Sequence, residues 1–204
     1  MPPPLRVPSP RPTARPISIW RATPSRRTRS WLSGARAYQK FKTKKGARCS
    51  IENLLKRVLK GNPVGSITPS VDIYNAVSLA YALPVGGEDI DAMEGDIRLG
   101  ITEGGDAFRP LGEEEDAPTL EGELCYRDDA GAICRCWNWR DGERTALTDD
   151  SKKAFLIIES VDPNAPTTRR RHRSAGRHGA QYLGADIFAK QIIARDNLTM
   201  VIDE

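Results

Sequence analysis

With 204 residues, 39% of them hydrophobic and 28% charged, the chain is long enough for one ordinary domain with tails. It contains no run approaching the roughly 20 apolar residues that a membrane-spanning helix needs. The net charge of +4 conceals a segregation: residues 1–60 hold 16 Lys/Arg against the single acid Glu52, whereas residues 61–165 hold 8 Lys/Arg against 22 Asp/Glu.

Residues 1–30 (MPPPLRVPSPRPTARPISIWRATPSRRTRS) have no sustained period and too little apolar surface to offset their ordering entropy, which predicts a disordered basic tail. The tail lacks the apolar centre of a secretory signal. With Cys49, Cys125, Cys134 and Cys136 as the only cysteines, reduced thiols in a cytoplasmic protein are expected. From residue 31 to 204 the pattern is that of a folded domain, interrupted at 165–179 by an Arg-rich tract of the same texture as the tail.

Residues 31–41 are expected to form a short helix. Ser50 followed by IENLLKRVLKG puts Ile51, Leu54, Leu55, Val58 and Leu59 at the i, i+3, i+4, i+7, i+8 spacing of a helix that buries one stripe. Lys56, Arg57 and Lys60 make its other face basic. A second helix is expected from Ser70 as N-cap, with Asp72 in its first turn and Asn75 in mid-helix, where an asparagine is locally disfavoured. Its apolar positions Ile73, Ala76, Val77, Ala80 and Leu83 share one side, and Val71, Asn75, Ser78 and Ala82 another. Pro84 ends that helix, and Gly86-Gly87 provides a backbone that a ligand can approach closely.

IRLGITEG, AFRPLG, GELCYRDDAG and ICRCWNWR read as short strands, with Asp128-Asp129-Ala130-Gly131 as the hairpin turn between the last two. Alternation in the last strand places Ile133, Arg135, Trp137 and Trp139 on one face and Cys134, Cys136, Asn138 and Arg140 on the other. AFLIIESV is apolar enough for a central strand, residues 181–193 (QYLGADIFAKQII) for a helix, and LTMVIDE for a closing strand. The expected fold class is α+β, a mixed or antiparallel sheet flanked by helices.

Both histidines, His172 and His178, fall in the Arg-rich tract, so a Ser/His/Asp or Cys/His arrangement in the acidic middle is not expected. Cys-x-Cys with one further cysteine is a weak zinc signal beside the commoner buried thiol. No cofactor and no metal is expected.

VDIYNAVSLAYALPVGGEDIDAMEGDI together with CRCWNWRDGERTALTDDSKKAFLIIE resembles the B3/B4 domain of the phenylalanyl-tRNA synthetase beta subunit, in the free-standing form encoded apart from the synthetase. The resemblance spans roughly 35–161 and 182–204. It implies binding of tRNA or aminoacyl-tRNA, and hydrolysis of misacylated tRNA in trans; a full synthetase has no room in this length. By motif, the editing asparagine falls on Asn75 and the pocket glutamate on Glu143, while the position of the editing histidine is Gly86. The residues themselves permit a reduced site, with Asn75, Ser78 and Glu143 as catalytic residues and Asp72, Gly86, Gly87, Asn138 and Arg140 contacting substrate. Lys56, Arg57 and Lys60 are its RNA contacts, against the ordinary alternative of a solvated helix face, an alternative that also holds for the KFKTKK run at 40–45. Loss of the histidine leaves a second reading open, a non-catalytic module that binds RNA or an amino acid.

Overall fold

The computed structural model describes residues 34–161, 181 and 183–202. The expected tail at 1–30, the start of the first helix at Trp31 and Leu32, and the tract at 165–179 lie outside the described residues.

A helical turn at 34–37 leads into α1 (Ser50–Leu59) and α2 (Pro69–Tyr81). The N-cap of α2 is Thr68, two residues earlier than expected, because Pro69 has no amide hydrogen to lose at the first helical position and Thr68 Oγ1 accepts from the Val71 amide at 3.3 Å. At the other end Ala82 adopts a left-handed conformation (φ 52°), and the Ser78 hydroxyl donates to the Leu83 carbonyl at 2.6 Å. This closing turn throws Leu83 and Val85 back against Val77, and with Ile158 they form one core cluster flanked by Tyr74 and Tyr81. A second cluster, Cys49, Ile51 and Ala82, joins α1 to the same helix end.

The chain then divides between two antiparallel sheets. β1 (Val85–Asp89) pairs with β6 (Ala154–Ile158) in a two-stranded ribbon, Val85 opposite Ile158 and Asp89 opposite Ala154. A 3-10 turn at Ile90–Ala92 follows β1. β2 (Arg98–Ile101), β3 (Leu124–Asp128), β4 (Gly131–Arg135) and β5 (Arg140–Asp141) form the second sheet in that order. The expected β3–β4 turn is present, and Asp128 Oδ1 accepts from the Ala130 and Gly131 amides to close it. Gly131 (φ 142°) lies so close to the Ala107 carbonyl that a Cβ there would sit 2.5 Å from the oxygen. The architecture is α+β, as expected. Among the described residues no helix is long and apolar enough to cross a membrane.

Five expectations are corrected. ICRCWNWR is not one strand: after Arg135 the chain turns through Cys136 (φ 47°) and Trp137 (φ 65°), so the expected alternation of faces stops there. The run at 107–112 contributes only an isolated bridge from Pro110 to Gly142. AFLIIESV is not central; among the described residues it pairs only with β1. Residues 184–193 carry no regular structure, and no strand forms at 198–202. Leu183, Ile187, Phe188 and Ile193 stay exposed, and a short helix without a core to cover its apolar stripe is marginal in water.

Candidate functional site

The two sheets meet at a small open cleft, with room for about 30 Å³ of solvent, that neither would form alone. β1 supplies Gly86, Gly87 and Glu88, and β6 supplies Phe155 and Ile157 with Glu159 just beyond its end. Tyr126 of β3, Ile133 and Cys134 of β4, and Asp141 of β5 form the opposite wall. The left-handed turn at Cys136–Trp137 brings Trp137 and Asn138 into the same lining. Left-handed geometry at two non-glycine residues is costly and persists only where the surroundings over-determine it. Here the Trp137 amide is tied to the Leu124 carbonyl at 2.5 Å, its ring lies 5.8 Å from that of Tyr38, and its indole N–H donates to Glu159.

Three carboxylates set the electrostatics. Glu159 accepts from Tyr126 Oη at 2.6 Å and from Asn138 Nδ2 at 2.7 Å as well as from Trp137. Burial nevertheless raises its pKa above the usual glutamate range, with the three hydrogen bonds opposing. Burial raises Glu88 further, aided by the charge of Asp141 and opposed by the Thr145 hydroxyl, which donates to Glu88 at 2.7 Å. Asp141 is also pushed up by burial of its carboxyl group, to which the Cys134 thiol donates at 3.1 Å. Among the described residues no Lys, Arg or His lines the cavity, so its field favours cationic and hydrogen-donating ligands.

All four thiols are free and buried. Burial pushes Cys49 and Cys125 up to about 12 and Cys136 to about 11, so they are protonated at neutral pH and poor nucleophiles. Among the described residues no group of three or more His, Cys, Asp or Glu side chains is arranged to hold a metal ion.

A sequence model of the B3/4 domain matches residues 34–181, well over half of the chain. The chain belongs to the B3/4 domain family. This is a family related to tRNA binding and editing, and its match spans the helices, both sheets and the cavity between them. No curated protein matches the chain.

Of the residues singled out from sequence, the B3/4 domain brings Gly86, Gly87 and Asn138 to the cavity. The others lie outside its lining. Ser78 is fully buried with its hydroxyl committed to the end of α2. Asp72 accepts from the Ser66 hydroxyl at 2.5 Å and the Ile67 amide at 2.9 Å, and Asn75 is half-buried on the same helix. Glu143 is exposed beside Arg109 at 3.7 Å, and Arg140 pairs with Glu113 at 2.7 Å. On α1, Lys56 is paired with Glu52, Arg57 donates to the Pro63 carbonyl at 2.7 Å, and Lys60 is the C-cap residue.

Sequence reasoning missed Glu88, Asp141 and Glu159. A signal existed for two of them: Glu88 and Glu159 flank runs otherwise fit for burial, and an acid at such a place must be partnered or protonated.

Proposed function

We propose that this B3/4 domain is a cytoplasmic tRNA-binding protein that seats the aminoacyl group of an aminoacyl-tRNA in the Glu159 cavity. The observation that supports the reading is the chemistry of the lining: Glu88, Asp141 and Glu159 surround a space walled by Tyr126, Trp137 and Phe155. An esterified amino acid carries an ammonium group, which such carboxylates attract, and a side chain that aromatic walls cover. Asn138, Gly86 and Gly87 keep the substrate-contacting part assigned to them from sequence.

A second reading, hydrolysis of misacylated tRNA in trans, is favoured by Glu88. A buried carboxylate whose pKa is raised by burial is a stronger proton acceptor than an ordinary glutamate, which suits general-base work. Water attacks the ester carbonyl as Glu88 takes its proton; when the intermediate collapses, the ribose oxygen leaves and recovers that proton.

The test measures binding of charged and uncharged tRNA, with a deacylation panel of mischarged tRNAs. Charged tRNA is expected to bind more tightly, and Glu88→Gln to weaken that preference and to remove any deacylation. Equal affinity for charged and uncharged tRNA, with no turnover, would overturn both readings. Deacylation lost in Asn75→Ala but kept in Glu88→Gln would move the chemistry to α2.

A further inference from the structure

Most cations of the acidic stretch 61–165 are committed, Lys152 being the exception among the described residues. Arg98, Arg109, Arg127, Arg140, Arg144 and Lys153 each lie within salt-bridge distance of a carboxylate. Residues 34–50 differ: they contain no acid, and Arg36, Lys40, Lys42, Lys44, Lys45 and Arg48 are all exposed, with no ion pair among the described residues. A dense group of unneutralised cations on an otherwise acidic surface attracts a polyanion.

This segment is fixed to the cavity wall. The Lys42 amide donates to the Gly122 carbonyl at 2.9 Å, and the Lys44 amide to Cys136 Sγ at 3.4 Å. Asn138, which lines the cavity, accepts through Oδ1 from Tyr38 Oη at 3.0 Å and from the Ser50 amide at 3.1 Å. Lys44 Nζ lies 6.0 Å from the centre of the half-buried Trp139 ring. Cations next to a partly open indole offer phosphate attraction and a stacking surface together, the combination that suits RNA better than an acidic peptide.

We infer that residues 36–48 form the phosphate track of this protein, laying an RNA strand along Lys40, Lys42, Lys44 and Lys45 and past Trp139 so that its 3′ end meets the cavity. The direction of the strand rests on the cavity reading above; the track itself does not. The carboxylates of the cavity repel phosphate, so the backbone stays on the lysine side of Asn138 and only the esterified end enters. The basic face of α1 is the smaller group: Glu52 neutralises Lys56, which leaves Arg57, bonded to the Pro63 carbonyl, and Lys60.

The experiment measures tRNA affinity against salt for the wild type, for K40Q/K42Q/K44Q/K45Q, for Trp139→Ala, and for K56Q/R57Q/K60Q. Binding of a 3′-aminoacyl adenosine, which has no phosphate, runs in parallel. Each phosphate contact contributes about 0.7–0.9 to the slope of log affinity against log salt. The quadruple variant should therefore lose about 3 from the slope and about a hundredfold in affinity at low salt, yet bind the adenosine ester as the wild type does. Trp139→Ala should weaken tRNA binding about tenfold with the slope unchanged. The track is overturned if the quadruple variant keeps the wild-type slope, if the α1 variant loses more, if the wild type does not bind tRNA, or if polyglutamate outcompetes tRNA. Failure of the adenosine ester to bind the wild type strikes the cavity reading alone.

Discussion

Asn138 donates to Glu159 at 2.7 Å through one end of its amide and accepts from Tyr38 and the Ser50 backbone through the other. One side chain thus ties the cavity floor to the segment entering α1. Asn138→Ala removes a donor from a buried carboxylate and orphans two further groups, each costing about 1–3 kcal/mol. The expected result is a loss of about 2–4 kcal/mol in denaturant unfolding, with weakened aminoacyl binding.

On the far side of the turn, Arg135 and Glu123 form a fully buried bidentate pair at 2.6 and 2.8 Å, and Arg135 also donates to the Ala117 carbonyl. Removing one partner strands the other charge. Glu123→Gln should destabilise by about 3–5 kcal/mol, whereas replacing both by apolar residues of similar volume should cost far less. A double-mutant cycle measured by chemical denaturation checks both.

The raised carboxylates give stability a definite slope with pH. Glu88, Asp141 and Glu159 hold protons in the folded state that the unfolded chain releases near pH ~4. Their contribution is complete below that unfolded value and is lost as pH rises through the folded values. Asp106 and Asp128 run the other way. Against the effect of burial, hydrogen bonds from Thr102, Thr119 and Arg127 hold Asp106 low, and those from Arg144 and the Glu94 and Ala130 amides hold Asp128 low. Their contribution disappears in stronger acid. Melting temperature should peak in weak acid and fall toward pH 8, and Glu88→Gln should flatten the alkaline side.

Ser78 separates a structural from a chemical part for α2. Its hydroxyl closes the helix by donating to Leu83. Ser78→Ala should cost about 1 kcal/mol in thermal unfolding while aminoacyl-tRNA binding stays at the wild-type level. Glu143→Ala, at an exposed site, should stay within about 0.5 kcal/mol of the wild type.

The helices and the hairpin were legible because each carries a local signal. Ile51, Leu54, Leu55 and Val58 repeat at the helical period, and Asp128 through Gly131 has the chemistry of a tight turn. The turn at Cys136–Trp137 was not legible, since neither residue favours a left-handed backbone and their conformation is imposed by contacts with Leu124, Tyr38 and Glu159. That one misread turn is why WNWR passed for a continuous strand. Glu159 was hidden for a related reason: at the end of AFLII it looks like the edge of a strand, and its role depends on Tyr126, Trp137 and Asn138 arriving from the other sheet. The 181–193 run shows the opposite failure, a helical pattern with no surface on which to bury its apolar stripe.

The ribbon of β1 and β6 carries Glu88 on one strand and ends in Glu159 after the other, and among the described residues β6 has no neighbour on its outer edge. Fraying of that single ladder dismantles the floor without melting the helices, so the site has its own local opening equilibrium. An occupant touching both acids acts as a clasp across the ladder, and slowed amide deuterium exchange at Leu156 and Ile157 would report its arrival.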